Sequence, residues 1–185
     1  MVKAFGVVIA ALLLAACSSF KLHQDFDLNR DFGRYQTWQW SEPRLDYSPQ
    51  DPRLKSDLTE QRVTLAVADQ LLQRGLRPAP AGTKADFKVR TWIILENRVE
   101  QYNTGYTPFW GGYWAPGPAG YGDVQTQEYQ LMTLQIDLYD GQDGKLVWRG
   151  SAEHIMRDPP ATPEKRIALI QQIASKILSQ YPPRR

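Results

Sequence analysis

Apolar and polar positions alternate along several stretches of the chain and recur with helical spacing in two others. Leu22 to Leu28 and Tyr35 to Trp40 read as extended segments rich in β-favouring side chains, with a turn over Asn29 to Gly33 and a loop over Ser41 to Gln50. Asp51-Pro52 offers a capping side chain followed by a proline, whose missing N–H costs nothing in a first turn, and predicts a helix start. Leu54, Leu58, Leu65, Ala68 and Leu72 then share one face and are the expected core contact of that helix, which Gly75 and Pro78 end. After a linker over 79–84, Phe87, Val89, Thr91, Ile93 and Leu95 alternate with Lys88, Arg90, Trp92 and Glu96, the pattern of a half-buried strand.

A second alternation runs from Tyr129 to Tyr139, with Met132, Leu134, Ile136 and Leu138 on one side. The turn-forming run Asp140 to Lys145 follows, and the return strand carries Leu146, Trp148, Gly150 and Ala152 on one face. Both apolar sets share a face only if the loop has an odd number of residues, as with Gly144 left-handed in a bulge, which sets Leu138 opposite Trp148. Thr162-Pro163 repeats the helix-start signal, and Ile167, Ile170, Ala174, Ile177 and Leu178 form an amphipathic stripe that stops before Pro182-Pro183. This order predicts an α+β two-layer sandwich: a mainly antiparallel sheet of about four strands with two helices packed on one face. Residues 24–183 are assigned to this single domain.

The first residues have another purpose. Lys3 precedes an uncharged apolar run from Ala4 to Ala16, the form of a secretion signal over residues 1–16. The run is shorter than the roughly 20 residues that span a bilayer as a helix. Leu14-Ala15-Ala16-Cys17 resembles the lipobox of bacterial lipoproteins, in which the cysteine receives diacylglycerol and, after cleavage, its amine is acylated with a palmitate-like chain. Cys17 is the single cysteine of the chain. The expected product is a lipid-anchored protein whose membrane contact is the acylated Cys17, with residues 17–23 a short tether. Ser18, rather than aspartate, favours the periplasmic face of the outer membrane over the inner membrane.

Removal of Lys3 with the signal leaves 21 basic against 20 acidic residues, with no basic stripe, so no nucleic-acid partner is expected. With Cys17 lipidated no thiol remains for a disulfide or a nucleophile. His23 and His154 are far apart in sequence, and no metalloprotease, hydrolase-elbow, phosphate-loop or paired-cysteine motif occurs. Asp137, Asp140 and Asp143 suggest calcium, but the twelfth position counted from Asp140 is Ser151 rather than glutamate. Glu96 with Glu100, or Asp25 with Asp27, would serve an acid–base mechanism only if the fold fixed their separation. The expectation is a protein with no catalytic residue, no metal and no cofactor.

One stretch is anomalous. Gln101 to Gly122 carries no charge, six glycines and seven aromatics. A connection of that length inside a small domain is either functional or irregular. Tyr106, Phe109, Trp110, Tyr113 and Trp114 are the candidate contact residues for a ligand or partner, because amphipathic rings stack on sugars and lie at bilayer interfaces. Alternatively the rings fold back over the sheet, or the tyrosines extend the flanking strands.

The chain also resembles a bacterial lipoprotein family, domain of unknown function 4136. The resemblance rests on Asp31-Phe32-Gly33-Arg34-Tyr35-Gln36-Thr37-Trp38-Gln39-Trp40, Ala85-Asp86-Phe87, Gly144-Lys145-Leu146-Val147-Trp148-Arg149-Gly150 and Tyr181-Pro182-Pro183. It implies the fold and transfers no catalytic residue. Three roles follow in descending order: a non-catalytic envelope protein that binds a partner or supports assembly, a glycan- or lipid-binding module working through 101–122, and an envelope hydrolase.

Overall fold

The alternating segments pair edge to edge into one sheet of six strands rather than about four. The computed structural model describes residues 20–52, 54–103, 124–156 and 162–184. The strands are β1 (Lys21–Phe26), β2 (Thr37–Ser48), β3 (Arg77–Pro78), β4 (Phe87–Asn103), β5 (Val124–Asp140) and β6 (Leu146–Met156), with helices α1 (Asp57–Gln73) and α2 (Pro163–Leu178). Their order across the sheet is β1-β6-β5-β4-β2-β3. The β1–β6, β6–β5 and β5–β4 pairs are antiparallel, whereas β2 runs parallel to both β4 and β3. The sheet is therefore mixed, because α1 supplies the long crossover that lets the chain return beside β2 in the same direction.

Two strands exceed their sequence signals. β2 continues through the expected 41–50 loop to Ser48, burying Leu45 and Tyr47, and its register with β4 breaks between Trp40 and Leu45. Pro43 lies in that break, where its missing N–H withdraws no ladder bond. β3 is made of two residues next to the expected linker, tied to β2 by the Arg77 amide on the Gln36 carbonyl at 2.9 Å and the Ala79 amide on the Trp38 carbonyl at 2.8 Å. β1 begins at Lys21, inside the stretch assigned to the tether.

The β5–β6 hairpin follows its sequence signals closely. Gly144 is left-handed, with φ of 71°, and Leu138 faces Trp148. The register shift puts Val147, not Leu146, in the core: Val147 is 1% exposed and Leu146 37%. α2 begins after Thr162, whose side chain accepts from the Lys165 amide, and buries Ile173, Ala174, Ile177 and Leu178, leaving Ile167 largely outside.

α1 departs most from expectation. It starts at Asp57 with Ser56 as the preceding cap residue, beyond the single turn that follows Asp51. Its buried side chains are Val63, Ala66, Val67 and Leu71, while Leu58, Leu65 and Leu72 are 59, 65 and 50% exposed. Small side chains let the helix sit close to the sheet and to α2, and the leucine face points away. Each helix runs from the same end of the sheet to the other, and Arg74 closes the second end by donating to the Leu178 carbonyl at 2.7 Å.

The inverted α1 face has a measurable consequence. Leu71→Ala is expected to cost about 2–5 kcal/mol and Leu65→Ala about 0.5 kcal/mol or less. Urea unfolding of both variants checks this; equal losses would place Leu65 in the core.

Candidate functional site

Among the described residues, three polar or exposed regions lie beyond the helices: a corner at one end of the sheet, the uncovered sheet face, and a hairpin arm at the other end. The corner is organised by Asp140, the last residue of β5. Its carboxylate accepts from the Tyr35 hydroxyl at 2.7 Å, Arg30 Nη1 at 3.2 Å and the Gln142 and Asp143 amides at 2.7 and 3.1 Å. Arg30 also reaches Asp27 at 3.1 Å and Asp143 at 2.6 Å. Asp86 fastens the start of β2, accepting from the Gln36 and Thr37 amides and the Thr37 hydroxyl at 2.8–3.0 Å.

Burial alone would raise the pKa of Asp140, but the Tyr35 hydroxyl and the two turn amides outweigh it and hold the carboxyl below its ordinary value. Asp143 is lowered chiefly by its hydrogen bond from Arg30, and Tyr35 is raised by burial and by donating to Asp140. A cleft of about 470 Å³ opens beside these groups, lined by Arg30, Arg34, Tyr35 and Asp86 among others. Its carboxylates are satisfied by protein donors, which is the arrangement of a structural tie rather than of a poised acid or base.

The uncovered face of the sheet carries a row of alternating charge. Asp46 on β2 pairs with Arg90 on β4 at 2.9 Å, and Asp137 on β5 with Arg149 on β6 at 2.7 and 2.8 Å. Arg90, Asp137, Arg149 and Asp25 occupy one cross-strand register. The fully buried Asp137 takes further bonds from Tyr139 and Gln135, both at 3.2 Å, and Arg90 lies 4.8 Å above the Trp92 ring. Here too the charges meet one another.

At the opposite end β2 stops at Ser48, opposite Ile94, and β6 stops at Met156, opposite Gln130. β4 and β5 run on past both, with Arg98 pairing Tyr129 and so on to Asn103 pairing Val124: six pairs without another strand beside them among the described residues. These strands form an arm about 20 Å long at about 3.3 Å per residue. Val99, at 58% exposure, lies on it. The chain enters the sheet at the same end, because Lys21 pairs with Glu153, Glu153 with Thr133 and Thr133 with Ile94.

Cys17 and the candidate contact residues Tyr106, Phe109, Trp110, Tyr113 and Trp114 lie outside the described residues. Of the 101–122 stretch, the backbone of Gln101 to Asn103 belongs to β4, so its first residues extend a strand. The histidines do not converge. His23 is on the uncovered face, 3.4 Å from Glu153, and His154 is on the helix side against the Phe20 ring, where burial lowers its pKa. Glu96 is engaged by Arg98 at 2.8 Å and Asp27 by Arg30. Among the described residues no group of three or more His, Cys, Asp and Glu side chains could hold a metal ion, and no helix is long and apolar enough to cross a membrane.

The model of the family described as Domain of unknown function (DUF4136) matches residues 22–183. The chain belongs to the DUF4136 family. Among solved structures it is similar to a PDZ domain protein from Parabacteroides distasonis at 14% identity and a TM-score of 0.53, over 89% of this chain. The chain spans only 36% of that protein. A DUF4136 protein from Bacteroides thetaiotaomicron is similar at 19% identity and a TM-score of 0.49, over 88% of this chain and 96% of its own. PelC from Paraburkholderia phytofirmans, solved as a dodecamer, is similar at 13% identity and a TM-score of 0.47, over 90% and 100% of the two chains. No curated protein matches.

The segments that carry the resemblance to DUF4136 meet at the corner. Phe32 and Tyr35 from the first, Phe87 from the second, Trp148 from the third and Tyr181 from the last form one aromatic cluster, with ring centroids 5.5–6.5 Å apart. Gly141 belongs there as well, although sequence reading passed over it. Its amide donates to the Asp86 carbonyl at 2.7 Å, and a Cβ at this position would stand 1.9 Å from the Ala85 carbonyl oxygen. The segments that carry the family resemblance thus meet in the packing of this corner.

Two outcomes test this. Gly141→Ala is expected to destabilise the domain by about 3 kcal/mol or more, read from its urea midpoint, since backbone must move to admit the methyl. Because Asp140 and Asp143 have folded-state pKa values below their unfolded ones, the stability they contribute is complete above about pH 4 and is lost as pH falls through the folded values. Thermal melts between pH 7 and pH 2.5 should show this decline, and Asp140→Asn should lower the melting temperature at pH 7 and flatten the slope.

Proposed function

We propose that this DUF4136 protein is a lipid-anchored lipoprotein of the bacterial envelope, held on the periplasmic face of the outer membrane by Cys17. It performs no chemistry of its own and acts by contact with a partner or a surface. The observation that carries this reading is the shared end of the sheet. The chain that leads back to Cys17 and the β4–β5 arm leave the domain at one end of the sheet, with β6 between β1 and β5, whereas the segments of the family resemblance meet at the far corner.

The lengths favour a bilayer as the surface the arm meets. Cys17 precedes Lys21 by four residues, a reach of at most about 14 Å, whereas Asn103 lies nine residues beyond Ile94, about 30 Å along the strand. An arm of that reach on so short a tether either tilts the domain or brings its far end into the headgroup region. The sequence joining the two arm strands contains Tyr106, Phe109, Trp110, Tyr113 and Trp114 and no charge through Gly122, the composition suited to an interface where one side of a ring is apolar and the other wet. The lipid-binding reading of the 101–122 stretch thereby gains over the glycan-binding one, and it adds a second attachment to the acyl chains.

In cells, Cys17→Ser is expected to move the protein from the outer-membrane fraction to the soluble fraction. The purified Cys17→Ser protein should float with phospholipid vesicles, and replacing Trp110, Tyr113 and Trp114 together with alanine should reduce the floated fraction at least tenfold. Unchanged flotation after the triple replacement removes the arm from the proposal. Retention of Cys17→Ser in the membrane fraction with the triple replacement also in place removes the anchor.

A further inference from the structure

The outer edges of the sheet are short or partly capped: β3 is Arg77–Pro78 alone, and on β1 the His23 carbonyl accepts from the Gln180 side chain at 3.5 Å. The edge of β4 beyond β2 has neither protection. β2 stops at Ser48, opposite Ile94, so Leu95 to Asn103 form a nine-residue edge with no strand beside it among the described residues. It is about 30 Å long. Exposed edges are ordinarily blunted by lysine, proline, a bulge or covering chain, because their unpaired N–H and C=O groups are a template for another strand. This stretch contains no lysine, proline or glycine, its pairing with β5 runs unbroken to Asn103, and Glu96 to Gln101 are exposed.

We propose that this edge pairs with itself: β4 of a second copy lies antiparallel beside it, centred on Val99, so that the two arms form one four-stranded sheet in the order β5-β4-β4-β5. Two identical edges that meet antiparallel are related by a two-fold axis perpendicular to the sheet. The same sheet face then lies on the same side in both copies, facing residues point the same way, and the centre falls on a residue rather than between two. With Val99 at the centre, Arg98 of each copy faces Glu100 of the other, Val99 faces Val99 and Asn97 faces Gln101. Opposite charges directly across a strand pair are stabilising and like charges destabilising. The edge is therefore complementary to itself in charge.

The neighbouring registers fail. Centring on Arg98 sets arginine on arginine and Glu96 on Glu100, and centring on Glu100 sets glutamate on glutamate. Centring on Asn97 matches Arg98 with Glu96, but it drives Glu100 into the place that Ser48 holds opposite Ile94 and leaves only five facing residues, 95–99. Val99 is also the midpoint of the open edge. Asn103 of one copy comes opposite Leu95 of the other, where β2 has just ended, so all nine positions pair. The other edge of the arm, Val124 to Tyr129 on β5, has Glu128 as its single charge and no such self-match. Main-chain hydrogen bonds, rather than apolar area, carry an association of this kind, and the side chains set its register. Because both copies keep the same sheet face on one side, a pair lying along a bilayer brings both entering chains to it, the tilted placement of the anchored domain.

Single cysteines in the full chain read the register, with the parent chain, whose one cysteine is Cys17, as the blank. Val99→Cys should give a disulfide dimer in mildly oxidised cells, because facing Cβ atoms stand about 4.5–5.5 Å apart. Asn97→Cys and Gln101→Cys, each introduced alone, lie about 14 Å from their own copies and should give at least tenfold less. Adding Arg98→Glu to Val99→Cys should cut the dimer at least tenfold, and adding Glu100→Arg to both should restore it to within twofold. No dimer from Val99→Cys above the blank, as much from Asn97→Cys, no loss with Arg98→Glu, or no recovery on the double reversal overturns the proposal. Fractionation of the same cells reports separately on the anchor: a Val99→Cys dimer in the soluble fraction keeps the pairing and removes the anchor.

Discussion

The carboxylate of Asp140 is where the ends of this domain are held together. Four donors from two segments converge on it: Tyr35 and Arg30 from the loop between β1 and β2, and two amides of its own turn. That convergence joins the contacts of Arg30 with Asp143 and of Gln36 with Asp86 in locating the β1–β2 connection, and β2 enters the sheet immediately afterwards. A group with so many donors favours its charged form even though it is nearly buried, and the rings of Phe32, Tyr35, Phe87, Trp148 and Tyr181 close over the same corner. Electrostatics and ring packing thus tie chain segments that are far apart in sequence.

The two faces of the sheet solve burial in different ways. On the helix side, apolar residues of β4, β5 and β6 meet the small-residue stripe of α1 and the isoleucines of α2. On the other side charge is neutralised across strands, Asp46 by Arg90 and Asp137 by Arg149. A fully buried Asp137 is tolerable because its two oxygens are taken by Arg149, Tyr139 and Gln135. The face that a helix layer leaves uncovered is thereby made self-sufficient.

The other end of the sheet is built differently. There the β4–β5 hairpin outgrows the rest of the sheet, next to the point where the chain enters. A densely hydrogen-bonded corner thus stands at one end of the sheet and a two-stranded arm at the other.

Much of this was legible in the sequence. Alternation located the apolar faces of β4, β5 and β6, because a strand with one buried face must repeat every two residues. The odd loop count predicted a left-handed Gly144 and the Leu138–Trp148 pair. Family resemblance pointed to the fold. The tertiary structure decided the rest. β2 continues past Trp40 because β4 lies beside it, although Pro43 and its polar neighbours read as a loop. β3 is a strand only by virtue of its partner. α1 has apolar residues on two sides, so periodicity alone favoured the larger leucines, whereas the close approach of sheet and α2 admits only valine, alanine and Leu71. Asp31 to Trp40, Ala85 to Phe87, Gly144 to Gly150 and Tyr181 to Pro183 were visible as separate motifs. That they form one corner depends on contacts between segments about 30 to 150 residues apart, and local patterning, which reflects only a residue's near neighbours, does not encode such contacts.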